Sequence, residues 1–187
     1  MAKVDSSIEV EVPLETAYNQ WTQFEEFPRF MEGIREVRQL GDERLYWSAE
    51  IGGETKEWYA QITQQVPDTV VAWRSEGGVR NDGVVSFKPL DPQRTEIELH
   101  IEFEPESMKE EVGSAMGVVS RRVEGDLKRF KDFIEGRGLE TGAWRGESQR
   151  ANAVTRPAPE SRQPSATPAK GISPAWSRPA VRTFLPA

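Results

Sequence analysis

The chain has 187 residues, 36% of them hydrophobic and 29% charged, a composition that predicts a globular protein built on one core. With no cysteine and a single histidine, His100, it excludes disulfides, thiolate zinc sites, iron–sulfur clusters, cysteine nucleophiles and imidazole-rich metal centres. The net charge of -7 is uneven: from Glu140 onward three acids face seven bases (+4), so the part before it carries -11 and repels phosphate backbones, against specific nucleic-acid binding.

No run approaches the roughly 18 apolar residues of a membrane span, and residues 1–7 lack the apolar stretch of a secretory signal. The expected compartment is therefore the cytoplasm. Ile8, Val10 and Val12 alternate with Glu9 and Glu11, the period of two of a half-buried strand. Pro13 stops that strand, and Leu14, Ala17, Tyr18 and Trp21 recur at helical spacing. The aromatic stretch Phe24–Gly33, broken by Pro28 and Gly33, predicts a second short helix or turn.

From Ile34 to Pro105, strand signals alternate with turn residues at Gly41-Asp42, Gly52-Gly53, Pro67-Asp68, Gly77-Gly78 and Asp91-Pro92, the pattern of a hairpin meander. One face reads Leu45, Trp47, Ala49 and Ile51; Trp58, Ala60 and Ile62; Val85 and Phe87; Ile97, Leu99, Ile101 and Phe103. Glu96, Glu98, His100, Glu102 and Glu104 occupy the alternate positions of the last strand, so His100 is expected to face outward. Val112, Met116, Val119, Val123, Leu127, Phe130 and Ile134 then follow at intervals of three or four, a helix ended by Gly136 or Gly138. Arg121, Arg122, Glu124, Lys128, Arg129 and Lys131 fill its other sides.

From Glu140 to Ala187, prolines recur among Ala, Ser, Thr and Arg without an apolar period, which predicts a disordered Pro/Ala/Arg-rich tail after a domain of residues 1–139. Trp144, Trp176 and Phe184-Leu185 are the tail's candidate anchors for a weakly held partner.

The order strand, two short helices, six strands, long helix describes an α+β fold: a curved antiparallel sheet of six to seven strands wrapped on a long C-terminal helix. One helix, about 10–12 Å wide, cannot fill the inside of such a sheet, so part of the concave face lines a hollow. The candidate ligand-binding residues are Trp47, Trp58, Ala60, Phe87, Leu99 and Ile101 on the sheet and Val112, Met116, Val119 and Val123 on the helix. No cofactor and no metal is expected. The polar candidates near the hollow are Tyr59, Arg74, Ser75, Arg80 and Asn81, of which Arg74 and Tyr59 are the candidates for a catalytic part; the alternation at Val71-Ala72-Trp73-Arg74 leaves the face of Arg74 open.

Several segments carry a family resemblance in their order and spacing: Ile8–Tyr18, Phe24 with Phe27–Met31, Trp58–Ile62, Pro67-Asp68, Val71–Ser75, Asn81–Phe87 and Phe103-Glu104-Pro105. On these the chain resembles the bacterial polyketide cyclase/dehydrase and coenzyme Q-binding group of the START-like (SRPBCC), birch-pollen-allergen-like helix-grip superfamily, over roughly Val4 to Ile134. The resemblance implies the helix-grip fold and a cavity for a hydrophobic partner molecule such as a lipid, quinone or polyketide. It implies no single reaction. Three readings follow: a carrier or chaperone without chemistry of its own, an aromatic polyketide cyclase/dehydrase, and a regulatory protein-interaction module using the tail.

Overall fold

Each apolar period found along the chain corresponds to one element, in the order β1 (Ala2–Val10), α1 (Leu14–Trp21), a 3-10 turn (Phe24–Arg29), β2 (Ile34–Gln39), β3 (Arg44–Ile51), β4 (Glu54–Val66), β5 (Val70–Glu76), β6 (Asn81–Asp91), β7 (Arg94–Phe103), α2 (Val112–Arg137) and the two-residue β8 (Ser148–Gln149). The structure is a computed structural model that describes residues 1–51, 53–104, 112–146 and 148–149, with backbone alone for 112–115 and 148–149.

The sheet is antiparallel throughout, in the order β1-β7-β6-β5-β4-β3-β2. Irregularities at Ile34/Glu36, Ile62/Gln64 and Pro89/Asp91 interrupt the ladders. Bulges of this kind bend a strand and add twist, which curls the sheet around its apolar face. The pairing of β7 with β6 and β1 sets Leu99 opposite Val85 and Ser6, with Ile97 opposite Phe87 and Ile8. His100 falls on the convex side, where its Nδ1 lies 2.5 Å from Asp5 Oδ1.

The helix-grip α+β architecture is thus the one expected. Val123, Leu127, Phe130 and Ile134 of α2 are buried against the sheet, each contributing about 1.5–3 kcal/mol of apolar burial. Trp21 and Phe30 meet the Phe130 ring edge-on at centroid distances of 5.0 and 5.2 Å, so the short helices plug one end of the grip. Polar contacts lock α2 along its length: Glu11 N–H donates to Glu135 Oε1 (2.6 Å), Lys131 Nζ to Glu9 O (2.7 Å) and Arg129 Nε to Phe30 O (2.8 Å). Gly138, at φ 68°, closes the helix by donating its N–H to Ile134 O at 2.8 Å.

Residues just past the domain edge expected after Leu139 bond to α1. Asn19, Gln20 and Thr22 are buried polar residues of α1 and its C-terminal cap. Such groups require partners, and residues 140–146 supply them. Asn19 Nδ2 donates to Glu140 Oε1 (3.0 Å), Gln20 Nε2 to Thr141 Oγ1 (3.1 Å) and Thr141 N–H back to Gln20 Oε1 (2.9 Å). Trp144, one of the candidate anchors, donates its backbone N–H to Thr22 Oγ1 (3.1 Å), and Arg145 holds Asp68 through two bonds of 2.8 and 2.7 Å. Ser148 and Gln149 then pair with Gln65 and Gln64 of β4. The rest of the expected tail, 150–187, with Trp176 and Phe184-Leu185, lies outside the described residues.

Candidate functional site

Between the concave face of the sheet and α2 lies a chamber of about 650 Å³, within the range typical of small-molecule sites. Its apolar end is built by Trp21, Phe24 and Phe27 from the short helices, and its walls by Ile62, Val71, Leu99 and Ile101 of the sheet. The β3–β4 register sets Trp47 opposite Trp58. Their rings stack at 5.8 Å and 9°, a flat apolar panel with the Phe27 ring 5.7 Å from Trp47. From α2, Val119, Val123 and Leu127 close the fourth side.

Polar groups gather among the remaining lining residues: Glu32, Arg80, Asn81, Glu104, Arg122 and Asp126. The Asp126 carboxylate accepts from Glu32 N–H (2.8 Å) and from Arg129. Burial nevertheless pushes this carboxyl above the ordinary range, against the lowering pull of those two donors and of the Arg122 charge. Asn81 is placed by its hairpin, since Ser75 Oγ accepts from Asn81 N–H (3.0 Å) and donates to Asp82 Oδ1 (2.8 Å). Trp73 Nε1 donates to Asn81 O at 3.0 Å. Its ring fits only because Gly83 faces it, where a Cβ would stand 2.3 Å from Trp73 Cζ2.

Of the ligand-binding candidates read from sequence, Trp47, Trp58, Leu99, Ile101, Val119 and Val123 line the chamber. Ala60 and Phe87 point inward as expected but are consumed by the core, with Phe87 packed edge-on against Tyr18 (5.5 Å) and Trp21 (6.2 Å). Met116 is exposed on α2 and is not among the lining residues. The Val112 side chain lies outside the described residues.

Both catalytic candidates lie outside the chamber lining. Trp73 faces the chamber, so its strand neighbour Arg74 takes the opposite side and is exposed. Tyr59 is likewise outside, its ring 5.7 Å from Tyr46 and capped by the Arg44 guanidinium at 4.4 Å. Ser75 braces the hairpin, while Arg80 and Asn81 do reach the lining.

The chamber residues that the sequence reading missed are chiefly Glu32, Arg122 and Asp126. Arg122 and Asp126 are four apart and flank the Val119–Val123–Leu127 stripe, so helical spacing alone places them at the border of the buried face. What spacing cannot give is the Phe30–Gly33 segment that folds over them.

A sequence profile of the family described as polyketide cyclase/dehydrase and lipid transport matches residues 10–132. An uncharacterized 17.2 kDa protein of Streptomyces lincolnensis, from the melC2-rnhH intergenic region, is 51% identical over 147 residues, covering 78% of this chain and 98% of its own. Among solved structures, the Zhui aromatase/cyclase of Streptomyces sp. R1128 superposes with a TM-score of 0.62 at 18% identity, covering 76% of this chain and 99% of that one. A START superfamily protein of Mycobacterium smegmatis gives 0.59 at 18% identity over 72% and 95%. At that identity the two structures attest the fold.

Proposed function

The chain belongs to the polyketide cyclase/dehydrase and lipid transport family, and on that premise we propose that it takes up a hydrophobic small molecule in the chamber and carries or protects it without transforming it. The observation that carries this reading is the chamber itself, about 650 Å³ walled by stacked indoles, phenyl rings and branched aliphatic side chains. Burying an apolar guest there contributes about 25 cal/mol per Å² of surface removed from water. The groups first considered for a reaction lie outside the chamber: His100 is on the convex face, and Arg74 and Tyr59 point outward.

The test is native mass spectrometry of protein purified without detergent, followed by extraction and identification of any co-purifying compound, with titration of the uncharged fluorophore N-phenyl-1-naphthylamine alongside. Saturable one-to-one uptake that raises the melting temperature is expected, because a ligand of the native state alone stabilises it by mass action. Absence of any bound compound together with no saturable uptake would sink the reading.

A second reading, cyclisation and dehydration of a polyketide chain, is favoured by Asp126, a lining carboxyl that burial holds toward its protonated form. Such a group suits proton transfer to a leaving hydroxyl. The two readings separate on one comparison: a cyclase loses product formation in Asp126→Asn, whereas a carrier keeps its ligand affinity and shows no turnover in either form.

A further inference from the structure

Among the described residues two cations line the chamber, and they are situated differently. Arg80 is bonded to Asp82 Oδ2 at 3.2 Å. Arg122 has no carboxylate in ion-pair contact among the described residues. Its Nε and Nη2 donate to Glu32 O at 3.1 and 2.6 Å, and Nη2 also reaches Glu50 O at 3.5 Å. Backbone carbonyls therefore fix the plane of the guanidinium and satisfy one edge, while Nη1, with two N–H donors, bonds to nothing among the described residues. Of the neighbouring acids, Asp126 and Glu32 both pair with Arg129, Asp126 also feels the Arg122 charge without bonding to it, and Glu104 is exposed to water.

This arrangement is built by the backbone. Gly33 adopts φ +73°, and a Cβ there would stand 2.0 Å from Arg122 Nη2 and 2.9 Å from Glu50 O. The loop thus leaves room for the guanidinium and hands it two carbonyls. An oriented guanidinium with one free edge bordering an apolar space gains most from a compact oxyanion, because its fixed donors match carboxylate oxygens.

We infer that Arg122 selects an apolar guest bearing one carboxylate, which docks at the free Nη1 edge while the hydrocarbon or ring system enters the indole-lined chamber. The inference rests on the proposed reading of the chamber as a ligand site and names the head group of that ligand. The acids of the domain oppose an anion; those farther than about 8 Å are screened at physiological salt, and Glu32 and Asp126 in the chamber wall are paired with Arg129.

The experiment displaces N-phenyl-1-naphthylamine from the full-length protein with dodecanoate and, separately, with dodecan-1-ol, at about pH 8, where the acid is ionised. The wild type is expected to bind the acid about tenfold more tightly than the alcohol, the lower end for a hydrogen bond to a charged group. Arg122→Gln is expected to abolish that preference, bringing the affinity for the acid down to that for the alcohol, with the far-ultraviolet circular dichroism spectrum and the urea midpoint certifying the variant's fold. Equal affinity of acid and alcohol in the wild type overturns the inference without recourse to any variant, as does an acid preference that survives in Arg122→Gln. Failure of the wild type to take up the fluorophore refutes the chamber reading beneath it.

Discussion

Replacing Gln20 by leucine removes a fully buried amide that holds residues 140–146 on α1. In the wild type its Nε2 donates to Thr141 Oγ1 (3.1 Å) and its Oε1 accepts from Thr141 N–H (2.9 Å). Each such bond contributes about 0.5–1.5 kcal/mol net, so the pair amounts to about 1–3 kcal/mol. Thr141→Ala loses only the hydroxyl bond, about 1 kcal/mol by the same measure. Because the hydroxyl bond belongs to both residues, the double variant is expected to be less destabilised than the sum of the singles, with a coupling of about 1 kcal/mol. Urea unfolding of the four proteins measures all three quantities. If the chain after Leu139 is free in solution, Thr141→Ala is silent, Gln20→Leu is neutral or stabilising because it removes an unpaired buried amide, and the two effects add; that pattern refutes the docked segment.

Gly83→Ala drives a methyl group into the Trp73 ring, and overpacking of this kind costs about 1–3 kcal/mol, readable as a lowered urea midpoint with weaker fluorophore uptake. Val119→Trp places an indole where a valine lines the chamber; uptake is expected to fall steeply in fluorescence titration while the far-ultraviolet circular dichroism spectrum stays that of the wild type. Arg74→Ala and Tyr59→Phe alter the convex face and are expected to leave the fluorophore dissociation constant unchanged, so a large shift in either would contradict the orientations described. His100 has its pKa raised above the ordinary 6.5, chiefly by the hydrogen bond to Asp5. Its stabilisation is therefore fully present below about pH 6.5 and is lost as pH rises through the higher folded-state value. The wild type should lose stability across that window relative to His100→Gln, and identical pH slopes for the two would argue against the pair.

Much of the architecture was legible in the chain because short-range patterns determine it. Period two in Ile97, Leu99, Ile101 and Phe103 assigns β7 and its inward face, and the recurrence Val119, Val123, Leu127, Phe130, Ile134 assigns the buried stripe of α2. Six of the ten hydrophobic residues expected at the ligand site do line the chamber, since which face a residue takes follows from its neighbours. Whether an inward residue meets a guest or another side chain depends on what stands across from it. Phe87 is taken up by Tyr18 and Trp21, contacts made between segments about 70 residues apart in sequence that no local period encodes.

The polar half of the site was decided in the same way. Arg122 and Asp126 read as the outer border of an amphipathic helix until the Phe30–Gly33 loop, some 90 residues earlier in the chain, closes over them and turns a solvated charge into a chamber wall. Residues 140–146 look like the start of a polar, proline-rich tail, yet buried Asn19, Gln20 and Thr22 give them a place to bind. Composition and periodicity thus determined the elements, their order and their apolar faces. Only the tertiary fold decided which space stays hollow and which polar groups border it, because hydrogen bonds and cavities form between residues that meet in space and not along the chain.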